Sequence, residues 1–339
     1  MTDQVMSDWL EALPDGAVIV DGTSHITAAN HLAIDILQTD PRGLLATSIL
    51  RAPAITAAIR QVREQGVSTT VDIEFHGRLQ RQVFAMLSRL GGDGHILIVL
   101  RDLTREQAVE KMRSDFVANA SHEMRTPLSS IIGTIETLQG AAKEDPKARE
   151  MFLASMLTQA HRMKRLIDDL LTLSRIELNE HVRPSSKVSL TSIAKQAKSN
   201  LTPYAAEYKV DLELVHDGEV LVSGESDELL QVALNLVENA IKYGGEGKRV
   251  QISCNPKGHS GVLSITDFGQ GIAEDDIPRL TERFYRVSTK QSRARGGTGL
   301  GLAIVKHIVL RHRGEMDIRS IPGQGSTFTV SVPLYYSIS

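Results

Sequence analysis

The segment 153–174 carries a repeating apolar pattern that constrains the fold more than any other feature of this 339-residue chain. Its members follow one another at alternating steps of three and four residues: Leu153, Met156, Ala160, Met163, Ile167, Leu170 and Ser174. This is the spacing of a heptad seam, along which one helix packs against another. A second helical segment precedes it, and residues 140–146 separate the two. We therefore predict an antiparallel helical hairpin over residues 104–180.

A hairpin of two helices cannot bury such a seam by itself. Two hairpins bury it when they pair as a dimeric four-helix bundle, so the pattern predicts a homodimer. Packing against another domain of the same chain is the alternative. That alternative requires a long complementary face, which the rest of the sequence does not offer.

The regions on either side of the hairpin combine strand-like and helical segments. Residues 1–103 are predicted to form a small α+β sensor module, with strands at 17–20, 71–75, 82–87 and 95–100 and helices at 29–37 and 55–65. Residues 187–336 are predicted to form a two-layer α/β domain, with helices at 190–206, 226–243 and 299–311 and strands at 210–214, 220–222, 250–254, 262–267, 315–320 and 326–332. The expected fold class is a multidomain α+β protein.

Charge and composition exclude several classes of protein. The chain has 38 Lys and Arg against 41 Asp and Glu, so its charge balance gives no reason to expect nucleic-acid binding. Its one cysteine, Cys254, allows neither an intrachain disulfide nor a zinc cage built from cysteines. The apolar run 96–100 is far shorter than the roughly 20 residues of a membrane-spanning helix. We expect a cytoplasmic protein without a direct membrane span, with peripheral association at the inner face of the membrane as an alternative.

The first helix of the hairpin contains the run FVANASHEMRTPL at 116–128. On a helical projection, His122 lies nearly opposite the apolar stripe of this helix. An acid, Glu123, follows it directly, and a hydroxyl, Thr126, lies one turn later on the same face. Pro127 removes a helical hydrogen bond and predicts a kink. An exposed histidine beside a helix-surface ion pair is the simplest alternative interpretation.

This run resembles the H-box of two-component sensor histidine kinases. The resemblance implies that His122 attacks the γ-phosphate of ATP through one ring nitrogen, because neutral imidazole is a competent nucleophile near neutral pH. It also implies that Glu123 accepts a hydrogen bond from the other ring nitrogen. Thr126 would orient water for dephosphorylation of the partner protein.

Residues 235–243, with the sequence NLVENAIKY, resemble the N-box of the same family. Apolar residues supply the buried side of the predicted helix, and the candidate ATP-binding residues of this segment are Asn235, Glu238, Asn239, Lys242 and Tyr243. Oxygen ligands suit Mg²⁺. The resemblance assigns the metal to Asn239, with Asn235 and Glu238 assisting. It places Lys242 against phosphate.

Two further segments resemble the G1 box and the F-box. In the first, at 267–272, Asp267 would accept a hydrogen bond from the adenine amine, while Gly269 and Gly271 let the backbone approach the base. In the second, at 283–286, the candidates are Phe284 and Arg286. The polar and basic segment 288–295 that follows is expected to be a mobile lid.

Residues 296–306 resemble the G2 box, in which glycines free backbone N–H groups for phosphate at the start of a helix. Its candidates are Gly297, Thr298, Gly299 and Gly301. The segment is neither a Walker loop nor a dinucleotide fingerprint, because the spacing fits neither. In the last glycine motif, Thr327 would reach the adenine side. Together the motifs imply a Bergerat (GHKL-type) domain that binds ATP and Mg²⁺.

The region 10–37, with Asp21 after a strand and Asn30 opening a helix, resembles a PAS domain. Because no cysteine precedes Cys254, a flavin–cysteinyl photosensor is excluded, and no bound cofactor is expected there. The order of domains resembles the cytosolic half of phosphate-regulon sensor kinases. That resemblance implies a role in phosphate-starvation signalling and an upstream adaptor on the PAS domain.

The sequence thus predicts a homodimeric, ATP- and Mg²⁺-dependent protein-histidine kinase with a sensor domain at 1–103, a phosphotransfer hairpin at 104–180 and a catalytic domain at 187–336. His122 would pass its phosphoryl group to an aspartate of a cognate response regulator, with phosphatase activity toward that regulator as well. The alternatives are a dimeric phosphotransfer or scaffold protein, a phosphatase-dominant sensor and another Bergerat-fold ATPase.

Overall fold

The computed structural model describes residues 8–76, 80–91, 94–244, 248–287 and 297–336. The chain folds as two compact units, Met1–Val117 and Ala118–Ser339. The predicted lid at 288–295 and Gly296 lie outside the described residues. The domain boundaries at residues 103 and 180 stay predictions.

The described part of the first unit is an antiparallel sheet of five strands with helices packed on it, in the order β2-β1-β5-β4-β3. The strands are β1 Gly16–Val20, β2 Ile26–Ala29, β3 Thr69–His76, β4 Gln80–Leu90 and β5 His95–Asp102. The helices are α1 His31–Leu37, α2 Ala46–Leu50 and α3 Pro53–Gln65. Strand β2 and helix α2 are additions to the predicted elements, since both are short and lack a clear period.

A buried asparagine organises the start of this unit. Asn30 is the N-cap of α1, where its side-chain oxygen accepts a hydrogen bond from Ala33 N at 2.9 Å and another from Ala17 N at 2.8 Å. Its amide nitrogen donates to the carbonyl oxygens of Leu10 and Asp15. Capping by a short polar side chain explains why the helix begins here. The comparison of this unit with a PAS domain stays a prediction.

The hairpin consists of α4 Thr104–Gln139 and α5 Pro146–Leu178, and the boundary between the two units falls within α4. The break between the helices coincides with the predicted one. Asp145 caps α5 by accepting hydrogen bonds from the backbone N–H groups of Lys147 and Ala148 at 2.9 and 3.0 Å. None of the helices in the described part of the chain is both long and apolar enough to cross a membrane.

The rest of the second unit is a mixed sheet covered by helices. Its helices are α6 Leu190–Glu207, α7 Ser226–Gly244 and α8 Gly301–Arg311, with a 3-10 helix at Glu274–Arg279. Its strands are β6 Ser186–Ser189, β7 Asp211–His216, β8 Leu221–Gly224, β9 Arg249–Lys257, β10 Ser260–Asp267, β11 Glu315–Ile321 and β12 Gly325–Pro333. The described strands form a sheet in the order β11-β12-β10-β9-β7, in which only β7 and β9 are parallel, and a separate β6-β8 pair. This confirms the predicted α+β content.

Helix α5 has two apolar sides. The predicted seam is largely exposed in the single chain, with Leu153 at 52% and Ile167 at 43% exposure. A different set of side chains, Leu166, Leu173 and Ile176, is buried, and α5 packs against α8. The contact with α8 therefore does not cover the predicted seam, and the prediction that a second hairpin buries it stays a prediction.

The connection from α5 to β6 is fixed by one arginine. Arg311 Nε lies 3.1 Å from the carbonyl oxygens of both Asn179 and Val182. Its guanidinium also pairs with Glu228 of α7. The end of α8 thus holds the linker between the hairpin and the nucleotide module.

Candidate functional site: a nucleotide cavity and the adjoining histidine

A cavity of about 330 Å³ opens beside α7. Its walls come from α7, from the turns that follow β10 and precede α8, from β12 and from α5. Twelve of the sequence-predicted residues line it: Asn235, Glu238, Asn239, Lys242, Tyr243, Asp267, Gly271, Arg286, Gly297, Thr298, Gly299 and Gly301. Segments far apart in the chain thus meet at one site, as the motifs predict.

Helix α7 positions four of the polar groups. Residues three or four apart share one side of a helix, so Asn235, Glu238, Asn239 and Lys242 reach the cavity while the opposite side is buried in the core. The Asn235 amide donates to the Gly301 carbonyl at 3.2 Å, which attaches α7 to the start of α8. Asn239 lines the cavity without a hydrogen bond to any described residue, so its amide oxygen is available to a metal ion.

Lys242 is a buried cation, with 5% of its surface exposed. Burial lowers the pKa of its ammonium group, and the nearby Glu238 opposes that shift. Its Nζ lies 5.7 Å from the centre of the Tyr243 ring. A ligand with anionic oxygens would offset the cost of burying this charge.

Asp267 lies at the end of β10 and is 6% exposed. Its carboxylate accepts hydrogen bonds from Gly269 N at 3.0 Å and from Ser326. Burial raises the pKa of this carboxyl group, while those hydrogen bonds oppose the rise. A Cβ atom added at Gly244 would lie 2.3 Å from the Asp267 Cβ, so the glycine leaves room for the acid.

Gly271 is required where the turn after β10 meets the end of β11. Its φ of +68° lies in the left-handed region, and an added Cβ would lie 2.2 Å from the Ile321 carbonyl oxygen. Both the conformation and the space exclude a side chain. The close approach shapes the wall of the cavity beside Asp267.

Three predicted residues do not line this cavity. Gly269 packs against Gly244, and Phe284 lines a second cavity. The prediction that Thr327 reaches the adenine side is wrong, because Thr327 pairs with Thr266, to which its hydroxyl lies 3.0 Å away. Since side chains alternate along a strand, Ser326 is the residue beside Asp267.

Helix α5 contributes residues that the motifs did not indicate: Arg165, Asp168 and Asp169. Thr298 Oγ1 donates to Asp169 Oδ2 at 2.7 Å. Burial raises the pKa of the Asp169 carboxyl group. Arg165 lies 4.0 Å from Glu238. An acidic side chain of the hairpin therefore contacts the turn that is predicted to bind phosphate.

His122 lies in a second cavity of about 330 Å³. The residues around it are Asn119, Glu123, Arg279, Glu282, Arg283, Phe284 and Tyr285. The imidazole is exposed, as the helical projection predicts. Tyr285 lines both cavities, so the histidine and the nucleotide cavity adjoin at this residue.

The neighbours of His122 on α4 are held by other groups. Glu123 Oε2 lies 3.1 Å from the Arg162 guanidinium of α5. Thr126 Oγ1 donates to the His122 carbonyl at 3.3 Å. Glu123 thus lies next to the histidine with its charge partly offset. Its hydrogen bond to the imidazole stays a prediction.

Two family models match the hairpin and the nucleotide module separately. The family described as "His Kinase A (phospho-acceptor) domain" matches residues 112–179. The family described as "Histidine kinase-, DNA gyrase B-, and HSP90-like ATPase" matches residues 224–336. The first match covers His122 and the second covers every residue predicted to bind ATP.

Two curated proteins resemble nearly the whole chain. The phosphate regulon sensor protein PhoR of Pseudomonas aeruginosa is 34% identical over 321 residues, which cover 94% of this chain and 72% of that protein. The sensor-like histidine kinase SenX3 of Mycolicibacterium smegmatis is 34% identical over 329 residues, which cover 95% of this chain and 84% of that protein.

A solved structure resembles the chain over its full length. The histidine kinase ThkA, in complex with the response regulator protein TrrA, aligns with a TM-score of 0.52 and 15% identity, covering 98% of each chain. That likeness shows a shared fold. The two family matches and the two relatives lead to one assignment: the chain belongs to the sensor histidine kinases of two-component systems.

Proposed function

We propose that this histidine kinase autophosphorylates on His122, using ATP bound in the cavity beside α7. The observation that carries the proposal is that an exposed histidine adjoins, through Tyr285, a cavity lined by twelve residues of the nucleotide motifs. Neither a phosphotransfer scaffold nor an ATPase of the gyrase or chaperone kind has use for both features. A kinase that phosphorylates its own histidine uses both.

In the proposed reaction, a ring nitrogen of His122 attacks the γ-phosphorus. The N–P bond forms, the bond between phosphorus and the β–γ bridging oxygen breaks, and ADP leaves with the electron pair. The other ring nitrogen carries a proton whose hydrogen bond Glu123 would accept, which supports the charge that develops on the ring. Because Glu123 also pairs with Arg162, that arginine moderates its strength as an acceptor.

The residues of the cavity suit the two ends of ATP. Asp267 would accept a hydrogen bond from the adenine amine, with Ser326 rather than Thr327 beside it. Lys242 and the turn at 297–301 would bind phosphate oxygens. The oxygen donors Asn239 and Glu238 fit Mg²⁺, which keeps water and phosphate oxygens as its other ligands. Bound there, the metal would neutralise charge on the phosphates.

The phosphoryl group would pass from His122 to an aspartate of a cognate response regulator. The relatives named as sensors and the ThkA complex with its response regulator support this class of partner. Phosphatase activity toward the same regulator is proposed for Thr126, since its hydroxyl is exposed one turn after His122. There it would orient a water molecule.

The exposed seam of α5 supports a homodimer formed through the hairpin. A role in phosphate-starvation signalling, with an adaptor acting on a PAS-type first unit, is proposed from the likeness to the phosphate regulon sensor. The proposed location is the cytoplasm or the inner surface of its membrane.

The test is incubation of the purified protein with γ-labelled ATP and Mg²⁺. Wild type should acquire label that is stable in base and lost in acid, as expected of a phosphorus–nitrogen bond. His122→Ala should remain unlabelled. His161→Ala, which removes another exposed histidine of the hairpin, should label normally. Label that persists in His122→Ala would refute the assignment.

A further inference from the structure

The second cavity places two arginines around the exposed histidine of α4. Arg279 and Arg283 line it together with His122. In the proposed reaction His122 is the nucleophile, and neither arginine takes part. Arginine binds phosphate oxygens through two parallel N–H donors, so both side chains have the chemistry to bind a phosphoryl group on His122.

Both guanidinium groups contact neighbouring side chains. Arg283 Nη2 lies 2.5 Å from Glu177 Oε1. Arg279 stacks on the Tyr285 ring, 4.2 Å from its centre, and its Nε lies 3.4 Å from Glu282 Oε2. The Arg279–Glu282 pair is more than half exposed on both sides. An exposed pair of this kind contributes little, so a dianion can replace Glu282 as the partner of Arg279.

The backbone between these side chains is also constrained. Phe284 has a φ of 63°, a conformation that a residue with a side chain adopts only where its surroundings enforce it. Its N–H donates to the Gly299 carbonyl at 2.9 Å. A Cβ on Gly299 would lie 2.9 Å from the Phe284 Cα, so only glycine allows this contact. The strained turn holds Arg283 beside His122 and Tyr285 between the two cavities.

We propose that Arg279 and Arg283 bind the phosphoryl group after its transfer to His122 and protect it from hydrolysis. The ligand of this site is thus a phosphoryl group on an imidazole nitrogen, which brings up to two negative charges into a cavity lined by two arginines. The inference rests on the proposed function, because it requires that His122 be phosphorylated.

The protection has a defined chemical basis. In hydrolysis, water attacks phosphorus, an O–P bond forms and the P–N bond breaks. The electron pair of that bond returns to the ring nitrogen, which takes a proton from the water, and orthophosphate leaves. Two guanidinium groups that donate hydrogen bonds to the phosphoryl oxygens stabilise the phosphorylated side chain and leave less room for the water that attacks phosphorus.

The test measures the half-life of the phosphohistidine. Wild type and variants are labelled with γ-labelled ATP, freed of nucleotide and Mg²⁺ by desalting into chelator, and followed as label is lost at neutral pH. Arg279→Gln and Arg283→Gln should each shorten the half-life, and the double variant should shorten it roughly tenfold. Arg279→Lys, which keeps the charge, should restore part of it.

Two controls separate charge from docking. Arg319→Gln removes an exposed arginine of β11 that does not line the second cavity, so it should leave the half-life unchanged. Glu177→Gln breaks the Arg283 pair but keeps both arginines, so its half-life should stay closer to wild type than that of Arg283→Gln. A double variant with the wild-type half-life overturns the proposal. So does a Glu177→Gln effect that equals the double variant, because loosened docking would then explain the loss. Failure of wild type to take up label would instead refute the proposed function.

Discussion

At the scale of single residues, Lys242 and Asp267 are both nearly excluded from solvent in one cavity, at 5% and 6% exposure. Burial lowers the pKa of the lysine and raises the pKa of the aspartate, so burial disfavours the charged form of each side chain. A nucleotide would bring a partner to each. Nucleotide binding should therefore stabilise the second unit as well as supply substrate.

Replacement of Gly271 should be far more harmful than replacement of Gly323. Both glycines have positive φ angles, +68° and +80°, but an added Cβ meets the Ile321 carbonyl only at Gly271 and meets nothing within 4 Å at Gly323. We expect Gly323→Ala to destabilise the protein by about 1 kcal/mol and Gly271→Ala by roughly 3 kcal/mol. Calorimetric unfolding of both variants measures the difference. Equal losses of stability in the two variants would show that the positive φ angle, and not the lack of space for a Cβ atom, explains the need for glycine at position 271.

His312 should make the stability of the second unit depend on pH. It is buried, its Nδ1–H donates to the Ile308 carbonyl and its Nε2 accepts from Glu225 N at 3.0 Å. Burial lowers the pKa of this imidazole below the ordinary 6.5. The unfolded chain then binds more protons than the folded one. The contribution of His312 to the stability of the second unit is therefore fully present above about pH 6.5 and is lost as the pH falls below that value.

His312→Gln keeps a donor and an acceptor without a titrating group, so its stability should fall less between about pH 8 and about pH 5. Urea unfolding at several pH values measures this slope. His307, whose pKa burial also lowers, leaves part of the slope in place. An unchanged slope in His312→Gln would assign the whole effect to other groups.

At the scale of elements, helix α7 shows what sequence predicts well. Its period places Asn235, Glu238, Asn239 and Lys242 on one side, and the structure brings all four to the cavity. The alternation of side chains along β10 and β12 is also evident in the sequence. Once Asp267 is known to pair with Ser326, that alternation places Ser326, and not Thr327, beside the aspartate. That pairing depends on long-range register, which no local pattern specifies.

Helix α5 shows where prediction from sequence stops. Its heptad seam was evident, but the second apolar side at Leu166, Leu173 and Ile176 was not. Nor did any motif indicate that Asp169 reaches Thr298. Contacts between elements distant in sequence depend on how their surfaces meet in three dimensions. The local period of one helix does not contain that information.

Removal of the Asp169 carboxylate should tighten nucleotide binding. This group accepts the Thr298 hydroxyl at 2.7 Å, in the turn predicted to bind phosphate, and its charge repels a triphosphate. The hydrogen bond from Thr298 to Asp169 is worth about 1 kcal/mol, and a nucleotide that binds this turn must compete with it. Without this bond, the Kd for a non-hydrolysable ATP analogue should be roughly fivefold lower in Asp169→Ala.

Asp168→Ala is the matched control, because Asp168 lines the same cavity from the same helix but is more exposed. Its effect should be smaller. Titration calorimetry with the analogue and Mg²⁺ gives both affinities. Weaker binding in Asp169→Ala would mean that this carboxylate helps to hold the nucleotide or its metal ion.

At the scale of the whole molecule, the order of hairpin and nucleotide module could be inferred from motifs, because each catalytic motif is short and local. The predicted homodimer follows from the exposed seam of α5. Leu153 and Ile167 are exposed in the single chain, although a solvated heptad seam is costly.

Leu153→Asp combined with Ile167→Asp should convert a dimer to monomers, since burial of two carboxylates in a bundle core costs several kcal/mol. Sedimentation equilibrium measures the change in mass. Lys164→Glu, which alters the charge of an exposed residue of the same helix, should leave the dimer intact. A double variant that sediments as wild type would place the dimer interface elsewhere.

Arg311 restricts the linker between the hairpin and the nucleotide module. While its guanidinium contacts the carbonyls of Asn179 and Val182, the linker moves together with α8, and little of the chain between the two parts is free to move. Release would free residues 179–185 as a tether of up to roughly 24 Å. Under the proposed function, the length of this tether would contribute to the effective concentration at which bound ATP meets His122.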